Sequence, residues 1–472
     1  MNERVAPHAQ TSTGRKPVTD LRAWLDMLAN SNRLAVARPG VKLRFELSAI
    51  AKTLDGTKAT LFPRPDGHPV PVISGLTSDR GWMAEAMGVA NDELLAAYQE
   101  AALNPLPWRE VGSAPVHEVV HREVDLPRLL PIPVHNELDS GPYITAGLLI
   151  SRNPKSGAQN VTIHRLQLSG PKRLGVLLLP RHTLRFFQMA EEAGGDLPVA
   201  IVIGVDPLTL LSSQAIAPID FDELTIAGAL HRRPLDVVKC LSSDIRVPAN
   251  AEIVLEGRIL ARTREMEGPF GEFPQYYSEP AEQHVIEIDA VTHRQNPIFH
   301  TILGGGIEHL LLGGIPREAT IMSHLRRSFP GVLDVHLSRG GTCRYHLNVK
   351  LDKRHEGEGK NVIMGAFGAH YDIKHVVVVD KDVDIHNQAE VEWAIATRFQ
   401  ADRDLVVVSQ ALGSRLDPSA NNGVSAKMGF DATVPLSSPP LKYKRIRVPG
   451  EEAVDLGRMI DAQADWRKAI GS

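Results

Sequence analysis

The stretch EGPFGEFP, residues 267–274, has the composition of a loop that presents acids for proton transfer. Glu267 and Glu272 stand five residues apart, and two glycines, a proline and a phenylalanine separate them. Glycine allows backbone conformations closed to other residues and proline fixes one φ, so this loop holds its flanking side chains in defined directions. Two carboxylates held close together raise each other's pKa, which suits acid–base catalysis. The alternative is a Gly-Pro turn between strands with two solvent-facing acids.

A basic residue that could pair with these acids lies in NVTIHRLQL, residues 160–168. If this stretch is a strand, alternation places Arg165 on one face and His164 on the other. Arg165 then stands in an otherwise apolar row, and a buried guanidinium needs an acid, which Glu267 or Glu272 could provide. The alternative is an edge-strand arginine that reaches solvent.

A third group of residues could bind phosphate and a metal ion. Arg181 and His182 lie at a predicted strand-to-helix junction, and helix N-termini favour anions. Two further candidate donors are the neighbouring hydroxyls of Ser212 and Ser213. Asn160, His182 and Glu223 form a hard O/N ligand set that suits Mn²⁺ or Mg²⁺ bridging to a phosphate better than zinc. Their spacing is irregular, and in a chain with 19 histidines any one is more often structural than a ligand.

Two further motifs fail on inspection. The stretch that begins at Asp380 resembles a calcium loop, but Ile385 stands where glycine is required and Val391 where glutamate is required. The glycine-rich stretch 304–314 is neither a dinucleotide fingerprint nor a P-loop. We predict that it is a mobile segment that could close over a site.

Composition favours a cytoplasmic enzyme. The net charge of -4 gives no indication of nucleic acid or an anionic membrane as a partner. Cys240 and Cys343 can build neither a disulfide framework nor a thiolate zinc site, which fits a reducing compartment. The first 20 residues lack the apolar core of a signal peptide and are expected to be a disordered lead, and the longest apolar runs are too short to span a bilayer.

The elements that must position these residues fall into three predicted regions. Residues 1–115 form a mixed α/β segment, with a helix that follows a cap at Thr19 or Asp20 and another that starts at Asn91. Residues 116–310 are rich in strands, with a helix after Pro180, and predict a barrel-like or sandwiched sheet. Residues 311–472 alternate helices with strands, which indicates a mostly parallel sheet, and one helix there has Pro316 near its first turn. The fold class is therefore mixed α/β.

The order and spacing of several short motifs resemble the UbiD family of reversible (de)carboxylases, which use prenylated FMN. The motifs are GPYITAGLLISRNPKSGAQNVTIHR, LPRH, VVKC, VPANAEIVLEGRI, EGPFGEF and SAKMGFDA. The resemblance covers most of the chain and implies an N-terminal α/β segment, a split-barrel flavin-binding core and a C-terminal α/β domain that helps to oligomerise. It also implies a homo-oligomer (a dimer or a hexamer), a small aromatic or heteroaromatic acid and CO₂ as reactants, and a separate flavin prenyltransferase that supplies the cofactor.

The resemblance further implies roles for individual residues. Glu267, Arg165 and Glu272 correspond to the catalytic network of the family, in which the flavin bonds to the substrate and accepts electrons as CO₂ leaves, and Glu272 is our choice for the proton donor. The implied metal ligands are Asn160, His182 and Glu223, for Mn²⁺ (or Mg²⁺) that binds the flavin phosphate, with K⁺ nearby. The implied cofactor-binding residues are Arg181, His182, Ser212, Ser213 and Lys427.

The substrate is suggested by His309 and Arg317, which are eight residues apart. Their spacing resembles the branch that acts on furan-2,5-dicarboxylate, in which a histidine and an arginine hold the carboxylate that is not removed. Other hydroxybenzoates or heteroaromatic acids are alternatives, and Arg317 could instead decorate its helix while His309 is incidental. In other functional classes, the alternatives are a flavin reductase on the same barrel and a non-catalytic assembly subunit.

Overall fold

The computed structural model describes residues 15–461 and 463–471, and the predicted disordered lead lies largely outside them. The first part of the chain contains four helices and four short strands. These are α1 Leu21–Asn30, β1 Leu34–Val36, α2 Glu46–Leu54, β2 Ala59–Phe62, β3 Val72–Ser74, α3 Arg80–Met87, α4 Leu94–Leu103 and β4 Arg109–Glu110. The predicted first helix is confirmed, and its cap is Asp20, whose carboxylate accepts from the backbone N–H groups of Arg22 and Ala23.

The middle of the chain is dominated by strands, as predicted. Its elements are β5 Val119–His121, α5 Leu126–Leu129, β6 Tyr143–Arg152, β7 Gln159–Gly170, β8 Arg173–Val176, α6 His182–Glu192, β9 Leu197–Ile203, α7 Pro207–Ser212, α8 Leu224–Leu230, β10 Asp236–Lys239, β11 Arg246–Pro248, β12 Ile253–Glu267, β13 Phe270–Gly271, β14 Tyr277–Ser278, β15 Ala281–His293 and β16 Phe299–His300.

Six of these strands close into a barrel, which confirms the barrel-like core. The order is β12-β9-β6-β7-β8-β15, and β12 also pairs with β15, so the sheet has no free edge between them. Each barrel strand contributes a fully buried residue to one hydrophobic cluster. These residues are Leu149, Leu166, Leu174, Ile201, Leu255 and Ile286.

The last part of the chain alternates helices and strands, as predicted. Its elements are α9 Ile307–Ser328, β17 Val332–Leu337, β18 His346–Leu351, α10 Glu358–Ala369, β19 His375–Asp380, α11 Gln388–Arg398, α12 Ala401–Asp404, β20 Leu405–Leu412, β21 Val424–Ala432, α13 Leu456–Met459 and α14 Trp466–Ala469. In the sheet β17-β18-β19-β21-β20 only the two central pairings are parallel, so the prediction of a mostly parallel sheet was wrong at both edges. Among the helices of the described residues, none combines the length and apolar character that a bilayer span requires.

The prediction of a mobile segment at 304–314 was wrong. The prediction that a helix starts close to Pro316 was also wrong. One helix, α9, runs from Ile307 to Ser328 with Pro316 in its interior. The helix tolerates its glycines and proline because its apolar side chains are almost completely buried, and tertiary packing outweighs helix propensity. Gly313 is also needed for space, since a Cβ there would meet the guanidinium of Arg344.

We expect the substitution Gly257→Ala to destabilise the barrel at its closing strand pair. A Cβ at Gly257 would lie 2.1 Å from the backbone carbonyl oxygen of Glu287 on β15, which cannot move without disturbing the β12–β15 ladder. The expected loss in free energy of unfolding is about 1–3 kcal/mol, measured by urea unfolding followed by circular dichroism. Gly170→Ala is the control, because its Cβ would meet only ordinary contact with Arg173 at 3.7 Å. Equal unfolding midpoints for the two variants would contradict the prediction.

Candidate active site

The centre of the candidate site is an arginine held between two buried glutamates. Arg165 lies on β7, as predicted, and its Nη2 is 2.6 Å from Glu267 Oε2, while its Nη1 donates to Glu272 Oε1. The side chains of Arg165, Glu267 and Glu272 are only 9%, 1% and 12% exposed. The alternatives of a solvent-facing arginine and two solvent-facing acids are therefore wrong. We call these three residues the acid triad.

The backbone around the acid triad explains why both glutamates reach the same arginine. Glu267 ends the long strand β12, and the loop that follows turns at Gly268, whose φ is +90°. The two-stranded ribbon β13–β14 then returns the chain, and the N–H of Glu272 donates to Tyr276 O at 2.9 Å. The rigidity predicted from the glycines and the proline is thus used to bring Glu272 back to Arg165.

Neighbouring side chains add further contacts to the acid triad. The Tyr143 hydroxyl donates to Glu267 Oε1 at 3.1 Å, and Arg165 Nη1 also donates to Ser278 Oγ at 2.9 Å. The ring of Phe270 lies 5.2 Å from the guanidinium. Arg165 Nε is buried and has no hydrogen-bond partner among the described residues.

The charge balance of the acid triad favours a proton on Glu272. Burial raises the pKa of Glu272, and the Arg165 guanidinium opposes that rise. One guanidinium cannot fully compensate two carboxylates at the same place, because the second carboxylate adds repulsion. The geometry therefore provides a buried carboxyl group whose pKa lies above its ordinary value.

The predicted metal ligands lie together at the start of β7. His182 Nδ1 is 3.0 Å from Asn160 Oδ1, and Glu223 Oε2 accepts the N–H of Val161 at 2.7 Å. Burial raises the pKa of Glu223 to about 8, and no cationic side chain of the described residues pairs with it. A metal cation would stabilise the charged carboxylate, so the donor set fits one. Among the described residues there is no group of three or more His, Cys, Asp or Glu side chains that could hold a metal. The predicted set contains only two residues of these types, His182 and Glu223, together with Asn160.

Two of the predicted cofactor residues converge on Tyr371, which follows α10. Arg181 Nη2 donates to the Tyr371 hydroxyl at 2.8 Å, and Lys427 Nζ donates to Tyr371 O at 2.8 Å. Lys427 lies on β21 beside a cleft of about 400 Å³, and burial lowers its pKa. Ser212 and Ser213 do not join this group, because their hydroxyls donate to backbone carbonyls of α7.

The predicted substrate residues lie on α9, and a second arginine that sequence reasoning missed lies close to them. Arg344 is buried and packs its guanidinium 5.1 Å from the ring of Phe273, the neighbour of Glu272. The same ring lies 6.2 Å from that of His309. We call His309, Arg317 and Arg344 the anion pocket, and Phe273 is where it meets the acid triad.

The anion pocket has more positive than negative charge. Burial lowers the pKa of both Arg317 and Arg344, and the acid nearest to them is Asp372, whose Oδ2 is 3.8 Å from Arg317 Nε. Burial and the two guanidiniums lower the pKa of His309 to about 3, so its imidazole is neutral at pH 7. A bound anion would relieve the repulsion between the guanidiniums.

The helix that carries this pocket is fixed to the first part of the chain by two acids that the sequence analysis did not identify. Glu308 is buried and accepts from the N–H groups of Gly75 and Thr77 at 2.7 and 3.2 Å. Asp55 accepts the N–H of Ile307 at 2.6 Å and thereby caps α9 from a distant part of the sequence. No local motif signals such a cap.

We expect the substitution Arg165→Gln to destabilise the protein more strongly as the pH rises. Without the guanidinium, the pKa of Glu272 in the folded protein rises further above its value in the unfolded chain. Above that unfolded value, the unfolded chain ionises Glu272 more easily than the folded protein does, so the folded protein loses stability as the pH rises. The free energy of unfolding should fall by about 3–5 kcal/mol at pH 8 and by less at pH 5, as measured by urea unfolding. Arg173→Gln, which removes an exposed pair with Glu265, is the control and should change it by about 0–1 kcal/mol. A loss that does not depend on pH would contradict the prediction.

Comparison with solved structures shows close likeness over nearly the whole chain. The UbiD-class enzyme HmfF from Pelotomaculum thermopropionicum, in complex with FMN, is 50% identical and superposes with a TM-score of 0.92, covering 93% of this chain and 100% of that one. An evolved dimeric form of the same enzyme, in complex with prFMN, is 47% identical with a TM-score of 0.88, covering 94% of this chain and 100% of that one.

Curated relatives include decarboxylases of different acids. Anhydromevalonate phosphate decarboxylase of Methanothermobacter thermautotrophicus is 43% identical over 80% of this chain and 88% of the relative. Gallate decarboxylase of Lactiplantibacillus plantarum is 32% identical over 80% of this chain and 84% of the relative.

Family models match most of the chain, from residue 25 to residue 432. The 3-octaprenyl-4-hydroxybenzoate carboxy-lyase N-terminal, Rift-related and C-terminal domains match residues 25–102, 109–307 and 310–432. Three consecutive domain matches in the order of the family confirm the resemblance that the short motifs indicated. The chain belongs to the UbiD family and is a carboxy-lyase.

Proposed function

We propose that this enzyme reversibly and non-oxidatively decarboxylates an aromatic or heteroaromatic acid with prenylated FMN, and that its substrate is furan-2,5-dicarboxylate, which gives furan-2-carboxylate. The acid triad carries the proposal, because a buried carboxyl with a raised pKa is what protonation of the vacated carbon requires. Prenylated FMN, when bound, supplies an acceptor for the electron pair freed as CO₂ leaves. Support for this cofactor comes from the similar structures in complex with FMN and prFMN.

Each member of the acid triad has a separate proposed task. Glu272 donates the proton to the carbon that has lost CO₂. Arg165 holds Glu272 in place and offers its unpaired Nε to the bound reactants. Glu267, fixed by Tyr143, keeps the guanidinium oriented.

We assign binding of the cofactor phosphate to the three predicted metal ligands. Asn160, His182 and Glu223 would hold Mn²⁺ (or Mg²⁺) against the cofactor phosphate, and a K⁺ site belongs to the same proposal. Glu223 is buried and has no cationic partner among the described residues, which supports a cation at this place. Arg181 and Lys427 are the proposed side-chain contacts to the cofactor, with Ser212 and Ser213 as further donors once their hydroxyls turn from the helix.

The anion pocket is assigned to the carboxylate that remains on the product. Arg317 and Arg344 provide guanidinium donors, and a neutral His309 can donate a hydrogen bond without adding charge. A dicarboxylate satisfies this pocket better than a simple monocarboxylate, which supports furan-2,5-dicarboxylate over hydroxybenzoates and other heteroaromatic monoacids.

A second candidate substrate is a phosphorylated acid. The relative that is 43% identical is named for a phosphate-bearing acid, and two guanidiniums suit a phosphate as well as a carboxylate. Both substrates would present a second anion to the two guanidiniums.

The test is a CO₂-release panel with protein co-expressed with a flavin prenyltransferase. It should contain furan-2,5-dicarboxylate, furan-2-carboxylate, hydroxybenzoates and anhydromevalonate phosphate. We expect turnover of furan-2,5-dicarboxylate, and loss of activity in Glu272→Gln protein with equal flavin content. Normal turnover by Glu272→Gln would reject the proton donor. NADH oxidation without CO₂ release would favour a flavin reductase, and full activity of protein made without the prenyltransferase would reject the cofactor.

We expect Arg344→Gln to weaken binding of a substrate with two anionic groups. Loss of one charged hydrogen-bond donor should raise KM by about tenfold or more, while a monocarboxylate analogue is affected less. Steady-state kinetics on both acids measure this difference. Arg327→Gln, on an exposed position of the same helix as Arg317, is the control and should leave KM unchanged. An equal increase in KM for both acids would contradict the proposed contact between Arg344 and the second anionic group.

A further inference from the structure

Asp139 lies outside every group described so far, and three N–H donors point at its carboxylate. It is 7% exposed. Its Oδ1 accepts the N–H of Gly271 at 2.9 Å, and its Oδ2 accepts the N–H and the side-chain amide of Asn136 at 2.8 and 3.2 Å. An asparagine at this position would place an N–H₂ group where one carboxylate oxygen now accepts, so either the bond from Gly271 or those from Asn136 would be lost.

The first of these bonds acts on the loop that carries Glu272. Gly271 immediately precedes Glu272, and two more bonds join the same segments: Ser140 N–H donates to Pro269 O at 3.0 Å, and Leu138 N–H donates to the Tyr277 hydroxyl at 3.2 Å. Residues 138–140 therefore hold the loop on both sides of the glutamate.

Close packing leaves this loop little room to shift. A Cβ at Gly271 would lie 2.5 Å from Asn136 Nδ2, and a Cβ at Gly304 would lie 2.2 Å from Gly271 O. The loop is thus packed closely against residues 136 and 304, and the backbone N–H of Gly271 donates to the Asp139 carboxylate.

The same segment also reaches the other glutamate. Four residues after Asp139, Tyr143 begins β6 and donates its hydroxyl to Glu267. One short stretch, 139–143, thereby sets the position of both acids around Arg165.

We propose that Asp139 is a positioning residue that fixes the loop 268–276 and, through it, the place of Glu272. This inference rests on the proposed role of Glu272. It adds that the position of Glu272 also depends on a residue outside the acid triad. Asp139 touches neither Glu272 nor Arg165 through a hydrogen bond of its own side chain, so it acts through the backbone.

The test compares Asp139→Asn with the native protein in two states. In flavin-free protein, hydrogen–deuterium exchange of peptides covering 268–276 should rise, while peptides from β9 and β12 keep native uptake. In flavin-loaded protein, kcat should fall about 100-fold, with KM changed less than about twofold and equal bound flavin. The pH profile of kcat should shift, because Glu272 no longer keeps its native distance from Arg165.

A matched control and the opposing outcomes keep the inference separate from the proposed function. Asp404→Asn removes a carboxylate of similar burial that also accepts a backbone N–H, and it should leave exchange of 268–276 and kcat native. Native exchange of 268–276 in Asp139→Asn overturns the inference, and so does raised exchange with native kcat while Glu272→Gln is inactive. Full activity of Glu272→Gln instead overturns the role of Glu272, and the exchange data still decide whether Asp139 fixes the loop.

Discussion

The ion pairs of Arg165 with Glu267 and Glu272 are the interaction on which the rest of the site depends. Burial of three charged groups is costly unless each is paired and hydrogen bonded, so the surrounding structure must satisfy all of them at once. Tyr143, Ser278 and the ring of Phe270 do this from three different strands. The closed barrel supplies the rigid support, because β7 and β12, which carry Arg165 and Glu267, belong to it.

Sequence reasoning could predict this pairing because the signals were local. The glycines and proline around Glu272 indicated a constrained loop, and strand alternation placed Arg165 in an apolar row. Both signals depend on residues within a few positions of each other, so local backbone preferences are enough to predict them. The same kind of signal predicted the first helix and the strands of the barrel.

Features that depend on distant contacts could not be predicted in this way. Helix α9 contains Gly313, Gly314 and Pro316, so its propensity is poor, and only burial of its apolar side chains explains it. Arg344 follows Thr342 and Cys343, whose φ values are positive, at 58° and 49°. Threonine and cysteine rarely adopt positive φ, so their residue types do not predict this backbone path. Strand β21 follows β20 in the chain but lies between β19 and β20 in the sheet, and this order depends on contacts with both neighbours.

The anion pocket and the acid triad come from separate parts of the chain and meet at one aromatic ring. Phe273 contacts His309 and Arg344, while the glutamate beside it faces the barrel arginine. On the proposed function, substitutions in α9 or in the loop before β18 would change the groups that face the second anion and would leave the acid triad in place. Relatives that are named for different acids are consistent with such a separation between the two groups of residues.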